Sequence, residues 1–235
     1  MQNLQNKKRN FWNNFNNISG MKDKVSVDLL RKWLTAWSLS RKLPLPIQFI
    51  SGFKVEVSEE KQKQRYVFSE PNEDFFELSH TIDEAWVYLK VCTGLDHFIK
   101  NISEKWQIQP QGYMMCCFHP MNIPDSKLAD GYNLEYSDDG SVFTVQIIAE
   151  NGELASIGRI VLVDDLAVYD RIVTDEKHRR KRLASCVIKE LEKIALSKEV
   201  FNNFLVATEE GRLLYENLGW KVYSLYTSFV IPSKI

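Results

Sequence analysis

From Asp28 onward Leu29, Leu30, Trp33, Leu34 and Trp37 recur at helical spacing, and Pro44 and Pro46 close the run, so an amphipathic helix is expected there. The period then shortens to two. Phe53, Val55 and Val57 alternate with Lys54 and Glu56, residues 65–68 read as a strand, and 86–92 are a short apolar run rich in β-formers. Helical patterns at 72–82 and 96–102, with a further strand at 113–118, give this first half a mixed α/β character.

A polar stretch over 120–140, with Pro124 and Asp138-Asp139-Gly140, reads as a linker. Beyond it the pattern is cleaner. Phe143, Val145, Ile147 and Ala149 alternate, Asn151-Gly152 supplies a tight turn, 154–163 return, and Asp164-Asp165 turns the chain into 166–174. Leu183, Val187, Leu191 and Ile194 form one helical stripe, followed by a strand at 204–208, a helix at 210–218 stopped by Gly219, and a final strand at 220–231. The second half therefore reads β-β-β-α-β-α-β. Expected divisions are a polar lead-in over 1–24 with Phe11, Trp12 and Phe15, an α+β domain over 25–120, a linker over 121–140 and an α/β domain over 141–235.

Composition narrows the function more than the fold. The 235 residues carry 30 basic and 31 acidic side chains, a formal net charge of -1, so no global field draws nucleic acid or an acidic membrane. Any anion site must be local. Cys92, Cys116, Cys117 and Cys186 show no disulfide framework, and Cys116 and Cys117 on one strand would face opposite ways. With no apolar signal core and no 18-residue apolar run, the chain reads as a reduced, cytoplasmic protein. Cys116-Cys117-Phe118-His119, with His97 and Cys92 elsewhere, matches no zinc spacing, and no metal is expected.

The candidate chemistry lies near the C-terminal end. A strand at 166–174 is followed by His178-Arg179-Arg180-Lys181-Arg182-Leu183-Ala184 and then a helix. A strand end, a basic turn and a helix N-terminus together suit an anionic cofactor, because unpaired backbone N–H groups and the helix dipole converge there. Taken alone, the run also reads as a solvated basic face. Further on stands Gly211-Arg212-Leu213-Leu214-Tyr215-Glu216-Asn217-Leu218-Gly219-Trp220.

The two segments, in this order over about 142–230, resemble the GCN5-related N-acetyltransferases, or GNAT family. Arg179 and Ala184 fit the family's Gln/Arg-x-x-Gly-x-Gly/Ala turn, and Arg182 stands where the family has Gly. The first half resembles the N-terminal region of some two-part bacterial acetyltransferases, through Trp33-Leu34, Ala36-Trp37, Leu43-Pro44, 65–68 and 112–115. The resemblance implies acetyl-CoA as co-substrate. Arg179, Arg180, Lys181, Arg182, Leu183 and Ala184 would hold its pyrophosphate. Ile172, Val173 and Thr174 would pair with the pantetheine arm, and Thr208 would lie where the cofactor enters.

It also implies direct acetyl transfer to a primary amine, with Tyr215 protonating the departing thiolate. Asp170 and Glu150 are the candidate carboxylates for taking the amine's proton, and a structural ion pair is the competing reading for Asp170. The family's first two helices are not evident before Phe143, so the N-terminal half is expected to shape the acceptor pocket. A non-catalytic acyl-CoA sensor or interaction module on the same fold is the alternative, favoured by Arg182. Neither nucleic acid nor membrane is expected as a partner, and the chain reads as a monomer or, through its long last strand, a homodimer.

Overall fold

The computed structural model describes residues 24–124 and 127–233, so the lead-in over 1–23, with Phe11, Trp12 and Phe15, lies outside the described residues. Helix α1 (Val27–Ser40) begins where the Ser26 side chain accepts the Leu29 N–H, and it buries Leu30, Trp33, Leu34 and Trp37. Strands β1 (Ile47–Phe49), β2 (Gly52–Glu59) and β3 (Gln62–Phe68) are followed by helix α2 (Glu73–Thr81) and β4 (Val87–Val91). After the short β5 (Gln107–Ile108) come β6 (Gly112–Cys117), β7 (Tyr132–Asp138), β8 (Val142–Ala149), β9 (Leu154–Val163) and β10 (Leu166–Thr174). Helix α3 (Leu183–Ser197), β11 (Asn202–Ala207), helix α4 (Glu209–Asn217) and β12 (Lys221–Val230) complete the chain.

Two expectations change. Residues 132–138, inside the expected linker, form β7, which pairs antiparallel with β8 from Tyr132↔Ala149 to Asp138↔Phe143. Residues 96–102 are covered by two 3₁₀ turns, Leu95–His97 and Ile99–Asn101, rather than one helix.

All strands join one mixed sheet in the order β1-β2-β3-β4-β12-β6-β11-β10-β9-β8-β7, with β5 added beside β12. The halves are built alike. In the first, β3 and β4 run parallel with α2 between them in the chain, and β12 lies antiparallel beside β4. In the second, β10 and β11 run parallel with α3 between them, and β6 lies antiparallel beside β11. Each half thus takes its closing strand from the other, and β6 and β12 pair where the halves meet. Over 221–226 the last strand pairs with β6, and over 227–230 with β4.

Alternation sorts the side chains into layers on the two faces. Leu166, Val168, Phe204 and Cys116 pack with α1 on one face, whereas Ala167, Tyr169, Leu205 and Cys117 pack with α3 on the other. The α1 layer extends across Phe53, Val55, Val57 and Val67, so this helix spans both halves of the sheet. A third cluster, with Phe68, Phe75, Leu89 and Phe229, lies beneath α2. Burying each such side chain contributes roughly 1.5–3 kcal/mol, and their continuity fixes the sheet between its helices. No described helix is long and apolar enough to cross a membrane.

Candidate active site

The parallel pair β10 and β11 is where the sheet opens. Its register runs only from Leu166↔Asn202 to Val168↔Phe204, although β10 continues to Thr174 and β11 to Ala207. On the other edge of β10 the register with β9 passes from Asp170↔Arg159 to Val173↔Ile157. Three steps on β10 therefore face two on β9, which is a β-bulge, and Arg171 takes up the irregularity at φ 52°. A bulge withdraws main-chain groups from the ladder and turns the strand, here beside the gap.

Into that gap opens a cleft of about 490 Å³. It is lined by Ile172, Val173 and Thr174 from the bulged strand, and by Arg179, Arg180, Arg182, Leu183 and Ala184 from the basic turn and the start of α3. Thr208 and Tyr215 close the far side. Of the cofactor-binding residues expected from sequence, all but Lys181 line this cleft. The Lys181 ammonium instead donates to the Tyr132 hydroxyl at 2.6 Å and lies 5.1 Å from that ring's centre.

The end of α3 is built to receive negative charge. Arg182 is its N-cap, with no side-chain hydrogen bond, and the first helical bond runs from the Cys186 N–H to the Arg182 carbonyl at 3.1 Å. The N–H groups of Leu183, Ala184 and Ser185 are thus left at the cleft without intrahelical partners. Arg182 sits at φ 60°, ψ 20°, and Arg180 also has positive φ at 63°. The left-handed conformation at Arg182 accounts for the glycine that the resembled motif places there, since a Cβ is disfavoured by about 1–2 kcal/mol in this region. Arg179 reaches only a solvent-exposed Glu176 at 3.8 Å, and Arg180 and Arg182 have no carboxylate partner among the described residues. The corresponding turn of the first half, between β3 and α2, carries Glu70, Glu73 and Asp74 and no basic residue.

Tyr215 lies on α4, which starts where the Thr208 hydroxyl accepts the Gly211 N–H at 3.2 Å. It ends at Gly219, φ 92°, with Trp220 N–H bonded back to the Tyr215 carbonyl at 3.0 Å. The Tyr215 ring packs against Trp220 with centroids 5.5 Å apart, and its hydroxyl makes no hydrogen bond among the described residues. Burial, with a further contribution from the Asp170 charge, pushes this phenol well above its ordinary pKa, so it stays protonated near neutrality.

Asp170 does not line the cleft. It points to the α1 face, where the Arg41 guanidinium and the Ser40 hydroxyl both donate to Oδ2, the latter at 2.5 Å. Arg159 donates to the Ser40 carbonyl at 2.5 Å and ties the same corner to β9. Glu150, the other candidate carboxylate, is exposed in the turn after β8, outside the cleft.

Sequence reasoning passed over His178, Ser185, Glu210, Gly211 and Leu214, which also line the cleft. His178 is buried, shares a 2.8 Å hydrogen bond between Nδ1 and the Tyr132 hydroxyl, and lies 3.5 Å from Glu153 through Nε2. Its place at the head of the basic turn was the available signal. Among the described residues no group of His, Cys, Asp and Glu is arranged to hold a metal.

Residues 108–220 match the acetyltransferase (GNAT) family model. The fold is similar to a GCN5-related N-acetyltransferase from Kribbella flavida, with a TM-score of 0.63 and 12% identity over 90% of this chain and 97% of that one. A GCN5-related N-acetyltransferase from Sphaerobacter thermophilus superposes with a TM-score of 0.54 at 11% identity, covering 79% of this chain and 78% of the other. A tandem GNAT protein from the clavulanic acid biosynthesis pathway gives 0.54 at 12% identity over 88% and 96%. At these identities the likeness is one of fold. No curated protein is similar to the chain in sequence.

Proposed function

We propose that the chain, whose residues 108–220 match the acetyltransferase (GNAT) family model, transfers an acetyl group from acetyl-CoA directly to a primary amine. The observation that carries this reading is the single cleft joining the uncapped start of α3, the free edge of β10 and Tyr215. The pyrophosphate is held by the N–H groups at Leu183 and Ala184 and by Arg179, Arg180 and Arg182, with Lys181 adding charge from beside Tyr132. The pantetheine amides pair with the main chain of Ile172, Val173 and Thr174 as an added strand, and Thr208 borders the path of the thioester.

The amine lone pair attacks the thioester carbonyl carbon, and main-chain groups released at the bulge stabilise the oxygen as it gains charge. The carbon–sulfur bond then breaks, and the thiolate takes the proton of Tyr215. Burial keeps that phenol protonated until the transfer and makes it a weaker acid than a free tyrosine, and the phenolate it leaves recovers its proton from solvent. The ammonium proton passes to Asp170, directly or through water. Positioning in the splay supplies most of the acceleration.

The test is release of free thiol from acetyl-CoA over a panel of amines. Tyr215→Phe is expected to lower kcat by about 10²-fold with acetyl-CoA affinity retained, and full activity in that variant would remove Tyr215 from the chemistry. One observation favours a second reading. Asp170 is already engaged by Arg41 and Ser40, which suits an acyl-CoA-binding module without turnover. Saturable acetyl-CoA binding with no product from any amine would establish that module.

A further inference from the structure

The α1 face of the sheet carries an excess of buried positive charge close to Asp170. Arg65, on β3, is 7% exposed and lies with its guanidinium carbon 3.5 Å from the centre of the Trp37 ring. Arg41 stacks on the same indole at 4.4 Å. Lys90, on β4, is 9% exposed, and its ammonium donates only to the Ser228 hydroxyl at 2.8 Å while lying 5.5 Å from the Tyr226 ring. Burial and the neighbouring Arg65 charge push the Lys90 ammonium well below its ordinary pKa, and among the described residues Asp170 is the carboxylate that answers this cluster, its Oδ2 already taken by Arg41 and Ser40.

The hydrogen-bonding capacity here is as incomplete as the charge. Among the described residues the Arg65 Nε and the Tyr226 hydroxyl are sealed from solvent without a well-formed hydrogen bond. Arg65 lies beside that hydroxyl, near enough that its charge and its side-chain polar contact oppose the upward push that burial gives the Tyr226 pKa. Burial lowers Arg65 to about 10, so it remains charged at neutral pH. A buried cation is costly unless an anion and hydrogen bonds answer it, and stacking on Trp37 offsets only part of that cost. The Asp170 charge is felt at both Tyr215 and Arg65, and Arg41, which donates to Asp170, stacks on the same Trp37 ring as Arg65. The cluster therefore sits behind the proposed reaction centre, on the side away from the cofactor cleft.

We propose that the acceptor is an amine that also bears an anionic group, a carboxylate or a phosphate, bound by Arg65, Lys90 and Tyr226 beneath α1. Its ammonium end points to Asp170 and the splay, and its anion supplies the charge and acceptors that the cluster lacks. This proposal rests on the acetyl-transfer reading for its orientation, and the anion site itself is independently measurable. It also gives the first half a role, because Arg65 and Lys90 come from strands of that half and Trp37 from α1.

The experiment has two arms. In the first, thiol release is measured with alanine against alaninamide and with phosphoethanolamine against ethanolamine. Wild type is expected to prefer at least one anionic member by tenfold or more in kcat/KM, and the pair that shows it identifies carboxylate or phosphate. In Arg65→Gln the preference collapses through KM, and Arg65→Lys restores part of it. No preference in wild type overturns the proposal while leaving acetyl transfer standing.

In the second arm, acetate and inorganic phosphate are titrated calorimetrically into wild type, Arg65→Gln and Lys90→Met, with folding of each checked by circular dichroism. Wild type is expected to bind one of the anions, at least tenfold more tightly than either variant. Failure of wild type to bind either anion overturns the site even if acetyl transfer is confirmed. Binding without any turnover would keep the site and refute only the acetyl-transfer reading.

Discussion

Replacing Arg182 by glycine separates what this residue does for the fold from what it does for the cofactor. At φ 60°, ψ 20° the side chain sits in the left-handed region, which costs a non-glycine residue about 1–2 kcal/mol. Glycine removes that cost and loses about 0.5–1 kcal/mol through greater freedom in the unfolded chain. Arg182→Gly should therefore stabilise by about 0–1.5 kcal/mol, a rise in Tm of up to roughly 3–6 °C for a chain of this size. The same change deletes an exposed guanidinium at the mouth of the cleft. A charge-assisted phosphate contact there is worth about 1–2 kcal/mol after solvent screening, so acetyl-CoA affinity should fall by roughly 5–30-fold. Scanning calorimetry and equilibrium dialysis with acetyl-CoA read the two effects, which have opposite signs. Tighter binding by the glycine variant would refute the assignment and make Arg182 an obstruction.

Two further perturbations probe the frame around the site. A Cβ built at Gly158 would meet Val187 Cγ1 at 2.6 Å and both Ile172 Cγ1 and Leu191 Cδ1 at 3.1 Å. Gly158→Ala should push α3 from β9 at a cost of about 1–3 kcal/mol, lowering Tm by several degrees and weakening acetyl-CoA binding through the shifted helix start; an unchanged melting curve would refute it. Glu192, which accepts the Met121 N–H at 2.8 Å, has its pKa raised chiefly by burial. Its folded form holds the proton more tightly than the unfolded chain, so its contribution is greatest below the ordinary carboxylate pKa and is lost as pH rises through the raised value. The stability of Glu192→Gln relative to wild type should consequently increase with pH over that window in urea titrations, and a flat difference would contradict it.

Much of the second half was legible because local chemistry and tertiary structure agree there. Gly152 at φ 82° and Asp164 at φ 53° are the turns that the strands 142–174 required. Strand β7 escaped notice because it is an edge strand of mainly exposed residues, in which Tyr132 and Leu134 are the apolar side chains that reach the core. Strand exchange could not be read, since alternation shows that β6 and β12 have buried faces and says nothing of their partners. The cleft was largely visible, as its residues come from two stretches of the chain, 172–185 and 208–215. Asp170's engagement was hidden because Arg41 comes from 129 residues away, and Arg65 looks like an ordinary strand cation until Trp37 of α1 stacks on it.

The central claim, that the start of α3 receives the pyrophosphate of acetyl-CoA, is tested most directly by calorimetric titration of wild type and Ala184→Asp with acetyl-CoA. A carboxylate in the first turn favours the helix dipole and should leave the fold intact, yet it places like charge against the phosphates. One-to-one binding by wild type that is lost in the folded variant is the expected result. Wild type that fails to bind millimolar acetyl-CoA, or a variant that binds equally well, would contradict the account.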